Sequence, residues 1–303
     1  MMLALIAPGQ GSQKTDMLTS WTVDSDSKNL LNQWSKEIDL DLLHLGTAAK
    51  ADEITDTANA QPLILATSLL AARALGIQNM HVVSGHSVGE LTAAALCGAI
   101  SDGDALRLVR ARGVEMAKAA TRISAGMSAV LGGDRDEVLL AIRALKLIAA
   151  NENGAGQIVA AGDLSALAAL AANPPSGARV RALDVSGAFH TSYMSTAVAP
   201  VQVIASGIAR GKACVPFISN TDGAILSDAD EILRQIIDQI AKPVRWDLCM
   251  ATLRTMGITG VIELAPAGTL VGLLKRAQPG IEGFALKAAA DVGAAREFAA
   301  RHT

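Results

Sequence analysis

Apolar residues fall along this chain in two rhythms, and the switches between them mark out its elements. Residues 2–7 are an unbroken apolar run of strand length, stopped by Pro8-Gly9. Residues 25–44 carry a polar helical pattern, and Asp52-Glu53-Ile54-Thr55-Asp56 is an acidic approach to a helix. Residues 60–75 are strongly apolar, with Pro62 near the first turn and Gly76 just past the end, the asymmetry of helix termini; they predict a core helix. A second short apolar run, 80–83, leads into Gly85-His86-Ser87-Val88-Gly89, and a small-residue helical run over 90–100 follows. Asp102 and Asp104 then cap a helix over 105–120. In it Ala105, Leu108, Val109, Arg112 and Met116 share one face, while Arg107 and Arg110 fall away from it.

From residue 126 the pieces become shorter. Strands are expected over 127–131, 147–150, 157–161 and 179–185, helices over 134–145 and 164–172, and a turn at Asn151-Glu152-Asn153-Gly154. The order β-α-β-β-α-β is ferredoxin-like. It predicts a small domain at 125–187 inserted into a discontinuous large α/β domain, 1–124 and 188–303. In the second part of the large domain helices are expected over 197–209, 228–240 and 246–256, strands over 215–219 and 260–264, and a last helix ending near Lys275-Arg276. Strands alternating with helices imply a mostly parallel sheet covered on both faces.

Composition narrows the classes. Of 303 residues half are hydrophobic, yet no run is long enough to span a membrane, and the run at 1–7 is too short for a signal peptide. Cys97, Cys214 and Cys249 lie far apart, so neither a disulfide framework nor a metal site is expected, and a reducing, cytoplasmic setting fits them. The net charge of −3, with acids and bases intermixed, gives no electrostatic case for nucleic acid or an anionic membrane as partner.

The pentapeptide at 85–89 has the G-x-S-x-G form of a nucleophile elbow, in the strand-turn-helix context that such an elbow needs. Glycines let strand and helix pack closely, and the helix aims its free N–H groups at a developing oxyanion. Ser87 is therefore a candidate acyl carrier; a glycine-rich turn with a serine N-cap fits the same residues. Arg112, on a core-facing stripe, needs an anion, which either a buried carboxylate or a ligand would supply. Of five histidines, His44 and His302 sit in polar or terminal surroundings, His81 is in the strand before the elbow, and His86 points away from Ser87 off the same turn. His190, in the glycine-flanked junction at 186–191, is the candidate base; a surface or core-edge histidine in a hinge fits the same position. No acid completes a triad. Asp184, Asp163 and Asp134 all fall in the expected small domain; a backbone carbonyl could hold the imidazole instead, which would leave a Ser-His dyad.

The chain also contains A-P-G-Q-G-S-Q at its start, Thr57-Ala58-Asn59-Ala60-Gln61-Pro62, G-H-S-V-G-E, R-G-V-E-M, G-A-F-H, P-V-R-W and P-A-G-T-L-x-G-L-x-K-R, in that order. In this order and spacing it resembles the malonyl-CoA:acyl carrier protein transacylases of type II fatty acid synthesis, especially actinobacterial ones. The resemblance implies an α/β-hydrolase-like large domain and malonyl transfer from malonyl-CoA to acyl carrier protein, with no bound cofactor. It implies Ser87 as nucleophile, His190 as base and the N–H groups of Gln10 and Val88 as oxyanion donors. Arg112 would bind the malonyl carboxylate, with Phe189 and His86 in the substrate pocket, and the main-chain carbonyl of Arg245 would orient His190. Phe189 implies malonyl over methylmalonyl, although excluding one methyl group is worth only about 1–3 kcal/mol. Lys275 and Arg276 are candidate contacts for an acidic carrier protein, or simply solvated charges. Ala265-Pro266-Ala267-Gly268 stands where many relatives have Gly-Pro-Gly. The rivals are a serine thioesterase or other hydrolase, a malonyl transferase serving a polyketide or malonate decarboxylase pathway, and a silent scaffold that retains the fold.

Overall fold

Strand β1 (Leu3–Ala7) is buried along its whole length, as an unbroken apolar run must be when both faces of a sheet are covered. In the computed structural model, which describes residues 1–185 and 187–303, the later strands are β2 (Val82–Gly85), β3 (Ala125–Gly132), β4 (Ile148–Gly154) and β5 (Gln157–Asp163), then β6 (Ala178–Ala182), β7 (Phe217–Ile218), β8 (Ile225–Leu226), β9 (Val244–Arg245), β10 (Gly260–Glu263) and β11 (Glu282–Ala285). They form two sheets. The larger has the order β11-β10-β1-β2-β7-β8 and is parallel except at the β7–β8 edge. Because β1 and β2 are neighbours, the loop after Ala7 and the elbow after Gly85 leave the sheet side by side, where α/β sheets bind their ligands.

The smaller sheet has the order β6-β3-β5-β4, antiparallel throughout, which is the ferredoxin-like arrangement. A fifth strand, β9, joins it from outside the β3–β6 segment and pairs in parallel with β4. Residues 151–154, expected as a turn, belong to β4: Asn151 and Glu152 pair with both β5 and β9, and Gly154 with β5. Polar residues there suggest a loop, but their side chains find tertiary partners on the two faces of the strand. β6 ends at Ala182 rather than 185, so Leu183, Asp184 and Val185 border the cleft described below.

Helix Thr57–Leu75 is the expected core helix. Asp56 caps it, accepting from Ala58 N–H, and Gly76 ends it at φ 65°. Leu63, Ile64, Leu65, Leu69 and Leu70 are all buried, each burial contributing about 1.5–3 kcal/mol. Helix Asp102–Ala120 packs on it so closely that a Cβ at Gly113 would stand 2.9 Å from the Thr57 carbonyl. This approach carries Arg112 in beside Gln61. The 25–44 stretch is two helices, Ser25–Ile38 and Leu42–Thr47, parted at Asp39, whose φ of 48° ends the first. Among elements that the pattern did not announce are β11 and helix Val292–Ala300.

Candidate active site

β2 ends at Gly85 and a helix begins at Gly89, so the chain must reverse within three residues. A Cβ at Gly85 would lie 2.1 Å from Gly89 C and O, and one at Gly89 would lie 2.3 Å from the Ala7 carbonyl. Neither position admits a side chain. Ser87 takes the strain of the turn at φ 53°, in the left-handed region that non-glycine residues rarely occupy. Its N–H donates to Asn220 Oδ1 at 2.8 Å, and Asn220 Nδ2 donates to the Gly85 carbonyl at 2.7 Å. One side chain thus holds both ends of the turn.

Ser87 Oγ lies 2.7 Å from His190 Nε2. His190 also has positive φ, 60°, and both residues are buried. His190 Nδ1 meets the main-chain carbonyl of Gln239 at 2.8 Å. An N–H at Nδ1 leaves Nε2 as the acceptor that faces the serine hydroxyl. Here the structure corrects one expectation: the orienting carbonyl belongs to Gln239, not Arg245. Arg245 sits in β9 against β4, its guanidinium paired with Asp247 at 2.8 Å and Glu152 at 3.5 Å. A carbonyl role leaves no side-chain signature in sequence, so P-V-R-W placed it six residues too late. Burial, reinforced by the charge of Arg112, holds the His190 imidazole down to about 3, and the Gln239 carbonyl opposes the shift.

Arg112 is 1 % exposed, and Ala105, Leu108, Val109 and Met116 on its face are buried as the spacing predicted. Its Nη1 donates to Gln61 Oε1 at 2.7 Å and its Nη2 to Gln239 Oε1 at 3.0 Å; Nη2 also lies 3.3 Å from Ser87 Oγ. Nε is buried without a partner among the described residues. The guanidinium is therefore held by two neutral amides beside the serine. Burial pulls its pKa down to about 10, and Glu90 opposes this. Glu90 is pushed up to about 8 by burial, against the Asn220 N–H and the charge of Arg112.

A cleft of about 330 Å³ opens over Ser87 and His190, lined also by Gln10, Gln61, Met116 and Phe189. The Gln10 and Val88 N–H groups donate to no main-chain carbonyl in the turns and loops of the described residues. The Gln10 side chain is fixed at Thr57 Oγ1, 3.1 Å. His86 turns away from Ser87, as expected, and its Nε2 meets Asn153 Oδ1 of β4 at 2.9 Å. Asp134 and Asp163 cap helices in the β3–β6 segment and Asp184 stands exposed at the rim, so none of the three orients His190. His44, His81 and His302 lie elsewhere, against Glu53, Leu3 N–H and Thr259. Sequence reasoning gave no role to Gln239, Asn220 or Glu90; the last was visible only as the final letter of G-H-S-V-G-E. Among the described residues no group of His, Cys, Asp or Glu could hold a metal, and no helix is long and apolar enough to cross a membrane.

The family model for the acyl transferase domain matches residues 5–293. The chain belongs to the acyl transferase domain family. Among its relatives is the malonyl CoA-acyl carrier protein transacylase of Mycobacterium tuberculosis, 48% identical over 96% of this chain and 98% of that one. The protein of that name from Bacillus subtilis is 32% identical over 90% of each. The crystal structure of MCAT from Mycobacterium tuberculosis superimposes with a TM-score of 0.94, covering 96% of this chain and 98% of that one at 48% identity. A type II PKS acyl-carrier protein in complex with its malonyl-transacylase gives 0.91 at 28% identity, covering 98% and 99%. The two-sheet α/β fold is thus that of acyl transferases.

Proposed function

We propose that this acyl transferase moves a malonyl group from malonyl-CoA to the phosphopantetheine thiol of an acyl carrier protein, through a malonyl ester on Ser87. The observation that carries the reading is Arg112: a buried cation 3.3 Å from Ser87 Oγ that meets two amide oxygens and the serine hydroxyl but, among the described residues, pairs with no carboxylate. A desolvated guanidinium gains most from a planar carboxylate that it can grip with two N–H groups, and malonyl is a small acyl group that carries one.

In the first half-reaction His190 Nε2 takes the Ser87 proton as Oγ attacks the thioester carbonyl. N–H groups of Gln10 and Val88 receive the oxyanion; each such donor is worth about 3–4 kcal/mol in related chemistry. The Ser87 N–H is not free for this, being held by Asn220. The carbon–sulfur bond then breaks, and CoA leaves with the proton returned by His190. In the second half-reaction the carrier thiol gives its proton to His190, attacks the ester, and Ser87 Oγ recovers the proton as it departs. Phe189 narrows the pocket beside the α-carbon. These steps need no resident cofactor, and a cytoplasmic setting suits the free cysteines Cys97, Cys214 and Cys249. The segment 125–187 would act as a small domain that walls the cleft and carries Asn153 to His86.

Intact-mass measurement after mixing with malonyl-CoA tests the reading. We expect one malonyl adduct, absent in Ser87→Ala, that disappears on adding holo acyl carrier protein as malonyl-carrier forms. Rapid release of free malonate, with no adduct and no transfer, would establish a hydrolase instead.

A further inference from the structure

Glu90 follows the elbow glycine, is 1 % exposed, and takes no part in the steps above. Both its oxygens accept: Oε1 from Asn220 N–H at 2.6 Å and Oε2 from Gln239 Nε2 at 2.5 Å. Asn220 holds Ser87 N–H, while Gln239 holds His190 through its carbonyl and Arg112 through its side chain. Glu90 therefore stands behind all three proposed site residues, one amide removed from each.

The Gln239 carboxamide has an oxygen end and an NH2 end of nearly equal shape, and it spans Arg112 on one side and Glu90 on the other, where its NH2 also donates to Asn220 Oδ1 at 3.1 Å. An ionised carboxylate only accepts and a guanidinium only donates. With the NH2 end on Glu90, Oε1 faces Arg112 and every contact pairs a donor with an acceptor. Turned over, the amide would set oxygen against carboxylate and NH2 against guanidinium. We infer that Glu90 is a positioning residue: when ionised, its acceptor-only carboxylate, together with Asn220 Oδ1, fixes Gln239 oxygen-first toward Arg112, and so aims the guanidinium at the acyl carboxylate. The inference rests on the malonyl reading of Arg112.

Glu90→Gln tests it, because the change keeps the shape and reverses the logic. Asn220 N–H takes the new amide oxygen and the new NH2 meets the Gln239 NH2, donor against donor, so Gln239 either turns over and sets its NH2 against Arg112 or is pushed out of its place between them. Single-turnover acylation of Ser87 is compared for malonyl-CoA and acetyl-CoA, whose acyl group carries no charge. Working at about pH 9, above the value near 8 to which burial raises Glu90, keeps the carboxylate populated. We expect the malonyl-to-acetyl rate ratio to fall about 10- to 100-fold in E90Q, the cost of misdirecting one partner of a buried charge pair. Glu90→Asp, which still only accepts, should recover part of the ratio. Equal slowing with both donors would mean that Glu90 merely packs, and would overturn the inference. If E90Q does not fold, Gln239→Met replaces it, keeping the carbonyl for His190 and removing the amide; an unchanged ratio there is equally fatal. Absence of any malonyl adduct on the wild type would instead sink the malonyl reading. The positioning is then judged without substrate, by NMR exchange of the Gln239 side-chain NH2: slow in wild type and fast in E90Q supports it, alike in both refutes it.

Discussion

His190 and Arg112 are both buried, and burial lowers the pKa of each, leaving the one neutral and the other still charged. An imidazole held near 3 is neutral throughout the physiological range, so in the proposed reaction it would accept the serine proton without first losing one. The rate of Ser87 acylation should therefore show no inflection near the ordinary histidine value of 6.5; stopped-flow measurement across that range checks it, and a drop centred there would show that His190 titrates normally. Arg112 remains charged below about 10 and waits for an anion. Arg112→Ala should cost malonyl transfer about 2–4 kcal/mol, or 30- to 1,000-fold in kcat/KM, and should cost acetyl transfer much less. Equal losses would refute the carboxylate role. Arg112→Lys should not rescue the enzyme, since an ammonium lacks the fork that reaches Gln61, Gln239 and a carboxylate together.

Elements decide what the sequence could reveal. The elbow was legible because it is local: a strand, three residues and a helix, with glycines at the two points where a Cβ would collide. Gly89→Ala should destabilise by at least about 1–3 kcal/mol through overpacking against the Ala7 carbonyl, readable as a lower melting temperature. Arg112 was legible because helical periodicity placed it on the buried face. The carbonyl of Gln239 was not, since any residue offers the same atom. Asn151 and Asn153 were misread as a turn because what makes polar residues tolerable in β4, such as His86 against Asn153, is far away in sequence. The Asp134 carboxylate is occupied by the N–H groups of Asp136 and Glu137. Asp134→Ala should thus lose a cap worth about 1 kcal/mol while Ser87 still acylates; loss of acylation would restore the missing triad acid.

At the scale of the whole molecule, the two buried ionisations limit stability from opposite sides. His190 has its pKa lowered from 6.5 to about 3, so its contribution is complete above 6.5 and is lost as pH falls toward 3. Glu90 is raised from 4.5 to about 8, so its contribution is complete below 4.5 and is lost as pH rises through 8. Thermal scans across pH should show His190→Ala flattening the acid limb and Glu90→Gln the alkaline one. Neither change altering the profile would place the titrating groups elsewhere.

Ser87 and His190 face each other with both backbones in the left-handed region. Glycine adopts that region freely and alanine does not, so Ser87→Gly should melt higher than Ser87→Ala by roughly 1 kcal/mol of stability, though both lack the hydroxyl. Selection for heat resistance alone would then drift toward the inert glycine. Persistence of serine at such a position across generations would record continued demand for the reaction rather than for the fold.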